Sequence, residues 1–139
     1  MKNNIRFSGD FIHESIFKVR TSDMFLGVHL GNDRVLTLMT EAHSNFLTDK
    51  GYSFGNVNNH SCFVKDIQIS YKKGVSYKDI LSIKIGIQNI SKYRLTLYFE
   101  NQNQNGNVCQ VAFIDWVYIN NDTKKVSPID DNILNIYRG

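Results

Sequence analysis

The chain has 139 residues, a length that fits one domain, and 42% of them are hydrophobic, which is enough to bury a core. Sixteen basic residues against thirteen acidic ones give a formal net charge of +3, spread along the chain rather than gathered in one block. This mild positive charge suits a small anionic ligand better than an extended nucleic-acid-binding surface. No apolar run reaches the length of a bilayer span. We therefore expect one globular domain over residues 1–139, with neither nucleic acid nor a membrane as partner.

The two cysteines, Cys62 and Cys109, lie far apart and belong to no CxxC motif or Cys/His cluster. This spacing predicts neither a metal site nor a disulfide framework. Both are typical of core thiols in a reducing compartment, so we expect a cytoplasmic protein.

In chain order, the first predicted element is a half-buried strand at Ile16–Arg20, where apolar and polar residues alternate, followed by a turn at Thr21–Asp23. The segment from Asp23 to Asp33, here called the entrance segment, then crowds two carboxylates, a histidine and two glycines into eleven residues. A helix is predicted from Asp33 to about Lys50, because apolar residues recur on one face. We expect Asn32 or Asp33 to cap its start and Gly51 to end it.

Downstream, four runs rich in β-branched and aromatic residues alternate with period two and predict strands. They are joined by short polar connectors, which favours an antiparallel sheet. The apolar residues after Pro128 predict a short terminal helix. One strand, one long helix and a four-strand meander make an α+β layout in which a curved antiparallel sheet wraps a central helix, the hot-dog fold. The four predicted strands are Cys62–Tyr71, Ile80–Ile90, Tyr93–Asn101 and Val108–Asn120.

Several short motifs resemble the acyl-CoA thioesterases of the hot-dog superfamily, particularly a subgroup with His-Leu-Gly-Asn-Asp before a helix containing Glu-Ala-Arg. This sequence has His29-Leu-Gly-Asn-Asp33 and, in the predicted helix, Glu41-Ala-His43. The resemblance implies hydrolysis of an acyl-CoA to free acid and thiol, without a metal or redox cofactor, by a homodimer or tetramer whose site lies between subunits. It continues at Phe46-Leu47, Gly51-Tyr52, Asp79-Ile-Leu81 and Val111-Ala-Phe-Ile-Asp115.

Two positions depart from the relatives. In the 4-hydroxybenzoyl-CoA thioesterase group an aspartate shortly before the Gly-His turn assists hydrolysis, and the aligned residue here is Phe25. His43 stands where the subgroup has arginine, so the permanently charged guanidinium group is missing. The catalytic carboxylate is therefore expected to be Asp23, with Glu41 as the other choice.

Thioester hydrolysis needs a polarised carbonyl and an activated water or carboxylate nucleophile. Backbone N–H groups around Gly31 and Asn32, at the helix start, are predicted to hold the oxyanion. His29 is predicted to orient the thioester or carry a proton. Each residue also has an alternative, purely structural interpretation. In that case Asp23 ends a turn, His29 forms an ordinary hydrogen bond, Asn32 caps the helix and Glu41 is a surface charge.

Substrate contacts are predicted at both ends of the ligand. Phe25 and Asp33 would line the acyl site, and Lys72, Lys73 and Arg94, at turn edges, would meet the coenzyme A phosphates. Two alternatives stay open: a hydratase of the same fold, although that signature has Asn-Pro where this chain has Phe25-Leu26, and an acyl-binding protein without catalysis.

Overall fold

The computed structural model describes residues 5–25 and 29–139 and contains an open antiparallel sheet packed against a long helix. The predicted α+β hot-dog layout is confirmed. The strands are β1 (Phe11–Lys18), β2 (Met24–Phe25), β3 (His29–Leu30), β4 (His60–Tyr71), β5 (Ile80–Ile90), β6 (Leu95–Gln102), β7 (Val108–Asn120) and β8 (Val126–Ser127), and the helices are α1 (Asn32–Asp49) and α2 (Asp131–Arg138).

The main sheet has the strand order β1–β5–β6–β7–β4, with β8 paired to β7, so β1 and β4 form its edges. All neighbouring strands are antiparallel. The predicted bounds of β5 and β7 are confirmed to the residue, because both are continuous period-two runs. β1 begins at Phe11, five residues before the predicted start at Ile16, since the polar run at residues 13–15 hid its alternation.

Helix α1 lies across the inner face of the sheet and buries its apolar side against it. The fully buried Met39 and Ala42 belong to the same core as Leu97 and Trp116. Gly51 ends the helix as predicted, with a φ of +88° that a residue without Cβ adopts at little cost. The predicted N-cap was wrong: the cap position is Gly31, in extended conformation, and Asn32 is already the first helical residue.

A buried polar cluster ties α2 to the core. The Nε2 atom of His43 lies 2.6 Å from the hydroxyl of Tyr137, which also contacts the Tyr118 hydroxyl. The His43 ring lies edge-on to Trp116, with centroids 4.2 Å apart. Burial lowers the pKa of His43 to about 3, so the residue that replaces the subgroup's arginine is a neutral core side chain.

The outer face of the sheet carries a smaller apolar cluster, formed with residues 5–10, which precede β1. Ile5 is buried there, and the Phe7 ring stacks on Tyr98 with centroids 4.6 Å apart. A Cβ on Gly86 would lie 2.2 Å from the Phe7 ring, so this close approach requires glycine. Within the described ranges, no helix combines the length and apolarity that a bilayer crossing requires.

Candidate functional site

The entrance segment folds back on itself before it enters α1. Residues Thr21–Asp23 form one 3-10 turn, and β2 and β3 pair through Met24 with Leu30 and Phe25 with His29. Leu26, Gly27 and Val28, and with them part of the Phe25-Leu26 comparison, lie outside the described residues. The Leu30 N–H donates to the Val75 carbonyl at 2.8 Å, which joins the segment to the chain before β5.

Asp23 clamps this segment onto the helix. Its side chain is 2% exposed, and its Oδ1 accepts hydrogen bonds from Arg34 Nη2 at 2.9 Å and Nε at 3.3 Å. Its Oδ2 accepts the Arg20 backbone N–H at 2.9 Å, and its backbone carbonyl accepts the Gly31 N–H at 3.1 Å. We call this set of contacts the Asp23 clamp.

The clamp also sets the charge state of Asp23. Burial by itself would raise the pKa of its carboxyl group, but the Arg20 N–H and the Arg34 guanidinium stabilise the anion and outweigh burial. The net result is a pKa below the ordinary value. A carboxylate that is shielded from solvent and held on both oxygens is a weak base with little access to water.

The start of α1 offers backbone donors to a ligand. The Gly31 N–H is used by the Asp23 carbonyl, so the predicted donor pair of Gly31 and Asn32 loses one member. The structure records no acceptor for the Asn32 or Asp33 N–H among residues 5–25 and 29–139. Both groups lie at the positive end of the helix dipole, where an anion is stabilised.

A cavity of about 330 Å³ opens at this helix start and gathers five predicted site residues. The Phe25 side chain is 59% exposed and supplies its apolar surface. The Asp33 carboxylate lies close to Gly31, since a Cβ on Gly31 would lie 2.8 Å from its Oδ1. The lining residues are Phe25, His29, Gly31, Asn32 and Asp33.

A second cavity, of about 220 Å³, shares His29 and Asn32 with the first and brings Lys72 and Lys73 to the same place. Two of the lining residues that sequence reasoning missed have polar side chains, Tyr71 and Gln110. The Tyr71 hydroxyl donates to the Asn32 carbonyl at 3.4 Å. The two predicted lysines therefore lie beside the helix entrance.

The two predicted carboxylates lie elsewhere, in a groove of about 500 Å³ between β1 and α1. Asp23 and Glu41 line it together with Arg20 and Arg34. Glu41 is exposed, in contrast to Asp23. Glu41 follows Asn32 by nine positions and Asp33 by eight, so it lies more than two helical turns, about 12–13 Å along the axis of α1, from the N–H groups at the helix start. The oxyanion donors and Glu41 of one chain therefore point to different regions.

Arg94 lies apart from all of these residues. Its Nη1 contacts Asp66 at 2.6 Å and Asp115 at 3.2 Å, on the outer face of the sheet. These two carboxylates pair with the guanidinium, and Arg94 lines neither of the two entrance cavities. In the described part of the chain, no group of three His, Cys, Asp or Glu side chains has a geometry suited to a metal ion.

Comparisons with known proteins point to one family. Residues 19–136 match the family model of the thioesterase-like superfamily. No curated protein sequence matches the chain. Similar solved structures include the probable thioesterase YbaW of Escherichia coli, with 22% identity, a TM-score of 0.78 and coverage of 89% of this chain and 95% of that one.

Two Staphylococcus aureus structures are also similar. A DHNA-CoA thioesterase has 19% identity and a TM-score of 0.76, over 91% of this chain and 86% of that one. A hypothetical protein in complex with CoA has 13% identity and a TM-score of 0.80, over 96% and 85%. At these identities the structures establish the fold, while the family model covers most of the sequence. The chain belongs to the thioesterase-like superfamily, which confirms the predicted family and the predicted class of activity, thioester hydrolysis.

Proposed function

We propose that this protein hydrolyses an acyl-CoA to the free acid and coenzyme A. The observation that carries the proposal is the pair of N–H groups at Asn32 and Asp33, at a cavity mouth, in a chain of the thioesterase-like superfamily. A thioester carbonyl placed there develops negative charge as water attacks, and a preorganised donor stabilises that charge. His29, which lines both entrance cavities, orients the thioester.

Glu41 is the carboxylate that we propose activates the water. Asp23 was the first choice from sequence, but its oxygens are held by Arg34 and Arg20, and we assign it the role of positioning Gly31 and the helix start. Glu41 is open to solvent and can orient a water molecule or take its proton. Because Glu41 lies about 12–13 Å along α1 from the N–H groups of Asn32 and Asp33, we propose that Glu41 of one subunit serves the helix entrance of another.

The edge strand β4 supports an arrangement of two chains. Among the residues that the structure describes, β4 pairs with β7 on one side and has no strand on the other. Its inner-facing Val64, Ile67 and Tyr71 are 41%, 42% and 47% exposed. An exposed apolar edge is a template for pairing with another chain. We propose a homodimer that continues the sheet through β4, or a tetramer built from such dimers.

Three further proposals concern the phosphate contacts, the cofactors and the location of the protein. Lys72 and Lys73 are exposed beside the cavity and would contact the phosphates of coenzyme A. A carboxylate and backbone donors suffice for hydrolysis, so we propose no metal or redox cofactor. Both cysteines are free and buried, which supports a cytoplasmic location.

Removing one backbone N–H tests the oxyanion site directly. Proline at Asn32 deletes that donor, and the first helical position tolerates proline because its N–H has no partner within the helix. The preceding Gly31 is already extended (φ −66°, ψ 143°), as a residue before proline should be. We expect Asn32→Pro to lower kcat about 100- to 1000-fold on a panel of acyl-CoA thioesters, measured as free thiol release.

Asn32→Ala is the matched control, because it removes the side chain and keeps the N–H. It should retain most of the wild-type kcat. Equal losses in both variants would show that the side chain or the helix, and not the donor, accounts for the effect. Wild-type protein that binds these thioesters without releasing thiol would favour the non-catalytic acyl-binding alternative.

The choice of carboxylate is tested by two isosteric amides. We expect Glu41→Gln to lower kcat at least 100-fold with little change in the melting temperature, because Glu41 is exposed and no ion pair of its side chain is recorded within residues 5–25 and 29–139. Asp23→Asn should lower the melting temperature as well as turnover. If Asp23→Asn abolishes turnover in a fully stable protein while Glu41→Gln is active, the two roles are reversed.

The Asp23 clamp also predicts how stability depends on pH. Because the folded-state pKa of Asp23 lies below its ordinary value of 3.8, its contribution is complete above about pH 4 and is lost as pH falls through the folded-state pKa. We expect Asp23→Asn to cost about 1–3 kcal/mol in urea denaturation at pH 7, with the gap closing towards pH 2. An unchanged gap across this range would mean that the charge of Asp23 does not stabilise the fold.

A further inference from the structure

Gln110, near the start of β7, forms part of the wall of the second entrance cavity. Its side chain is 3% exposed, yet it lines the cavity with His29, Asn32 and Lys73. The side chain lies on the inner face of the sheet, between the apolar layer of the core and the helix entrance. A buried neutral amide at this place needs hydrogen-bond partners for both of its ends.

A neighbouring side chain fixes the direction in which the Gln110 amide points. Asn101 is opposite Gln110 on β6 and is fully buried, and its Nδ2 donates to Gln110 Oε1 at 2.9 Å. The oxygen of Gln110 is therefore turned to Asn101 and the nitrogen away from it. This orientation is assigned from the hydrogen-bond network, because the opposite orientation would turn the Gln110 oxygen towards the Lys73 carbonyl, which is also an acceptor.

The nitrogen of Gln110 is poorly satisfied by the protein. Its one recorded acceptor in the described part of the chain is the Lys73 carbonyl, at a distance of 3.5 Å, which is long for an N–H···O bond. An amide nitrogen carries two hydrogens, so at least one remains for a ligand in the cavity. Leaving a buried donor without an acceptor costs free energy, which a bound acceptor would recover.

From this geometry we infer that Gln110 is a substrate-positioning residue that donates a hydrogen bond to an amide carbonyl oxygen in the coenzyme A arm of the bound acyl-CoA. The inference rests on the proposed function for the identity of the ligand. Lys72 and Lys73 are exposed, where charged phosphates keep part of their hydration, whereas Gln110 is buried and neutral. A neutral amide carbonyl of the coenzyme A arm matches that environment better than a phosphate does, and the thioester carbonyl is already assigned to the N–H groups at the start of α1.

Methionine in place of Gln110 keeps an unbranched side chain of similar length and removes the donor. We expect Gln110→Met to raise KM for acyl-CoA about threefold to tenfold with little change in kcat, as one neutral hydrogen bond predicts. Gln88→Met, at an exposed position of β5, is the control and should leave KM unchanged. A purely structural role would lower the melting temperature and leave KM as in the wild type, which would overturn the inference.

Because Gln110→Met leaves Asn101 without its acceptor, the comparison is repeated in an Asn101→Leu background. If Gln110 serves only Asn101, adding Gln110→Met to Asn101→Leu changes KM no further. If Gln110 binds substrate, the double variant has a KM about threefold to tenfold above that of Asn101→Leu. This second comparison still decides the matter if Gln110→Met alone does not fold.

Calorimetry with free coenzyme A separates this inference from the proposed function. If the wild type hydrolyses no thioester but binds coenzyme A, and Gln110→Met or the double variant weakens that binding by a similar factor, the inference stands and the hydrolase proposal fails. If hydrolysis is normal and neither KM nor the Kd of coenzyme A responds to Gln110→Met, the hydrolase proposal stands and the inference fails. A wild type that neither hydrolyses thioesters nor binds coenzyme A overturns both.

Discussion

The ion pair between Asp23 and Arg34 is the contact on which the geometry of the helix entrance depends. It joins the turn after β1 to the first turn of α1, and the carbonyl of the same aspartate takes the Gly31 N–H. One residue thus fixes where the helix begins and which backbone donor a ligand meets first. Asp23 is buried whereas Arg34 is partly exposed, so removing Arg34 would leave a buried carboxylate without its charged partner.

This contact also explains how two carboxylates on the same groove acquire different roles. Asp23 is shielded and paired, and its charge is used to hold the chain together. Glu41 is exposed on the same groove and is free of such constraints in the described residues. More than two turns of α1 lie between Glu41 and the N–H groups at the helix start, so one chain carries two half-sites. Pairing of two chains through the exposed edge strand β4 would combine half-sites from different chains.

Much of the fold could be predicted from sequence because its long elements have uniform periods. The bounds of β5, β7 and α1 follow from apolar spacing, and the His29 to Asp33 motif located the helix entrance. The stacking of Phe7 on the outer face could not be predicted, because a single aromatic in a polar segment has no period. The Arg34 contact with Asp23 was also missed, since it depends on how the entrance segment folds back on α1.

The missed Gln110 had a detectable signal. Counting by twos along β7 from the core residues Ile114 and Ala112 reaches Gln110, and counting along β6 from Leu97 and Phe99 reaches Asn101. Two polar residues at inward positions of adjacent strands indicate a buried pair or a ligand contact. That Asn101 lies opposite Gln110 depends on the register of β6 against β7, which the sequence pattern does not determine.

A heterodimer of two inactive chains tests the shared site most directly. Chains carrying Asn32→Pro and chains carrying Glu41→Gln, with different affinity tags, are co-expressed and the mixed dimer is purified through both tags. If Asn32 of one subunit works with Glu41 of the other, one of the two sites is intact and turnover per dimer returns to about half of the wild-type value. A mixed dimer no more active than either parent dimer would contradict a site built from two chains.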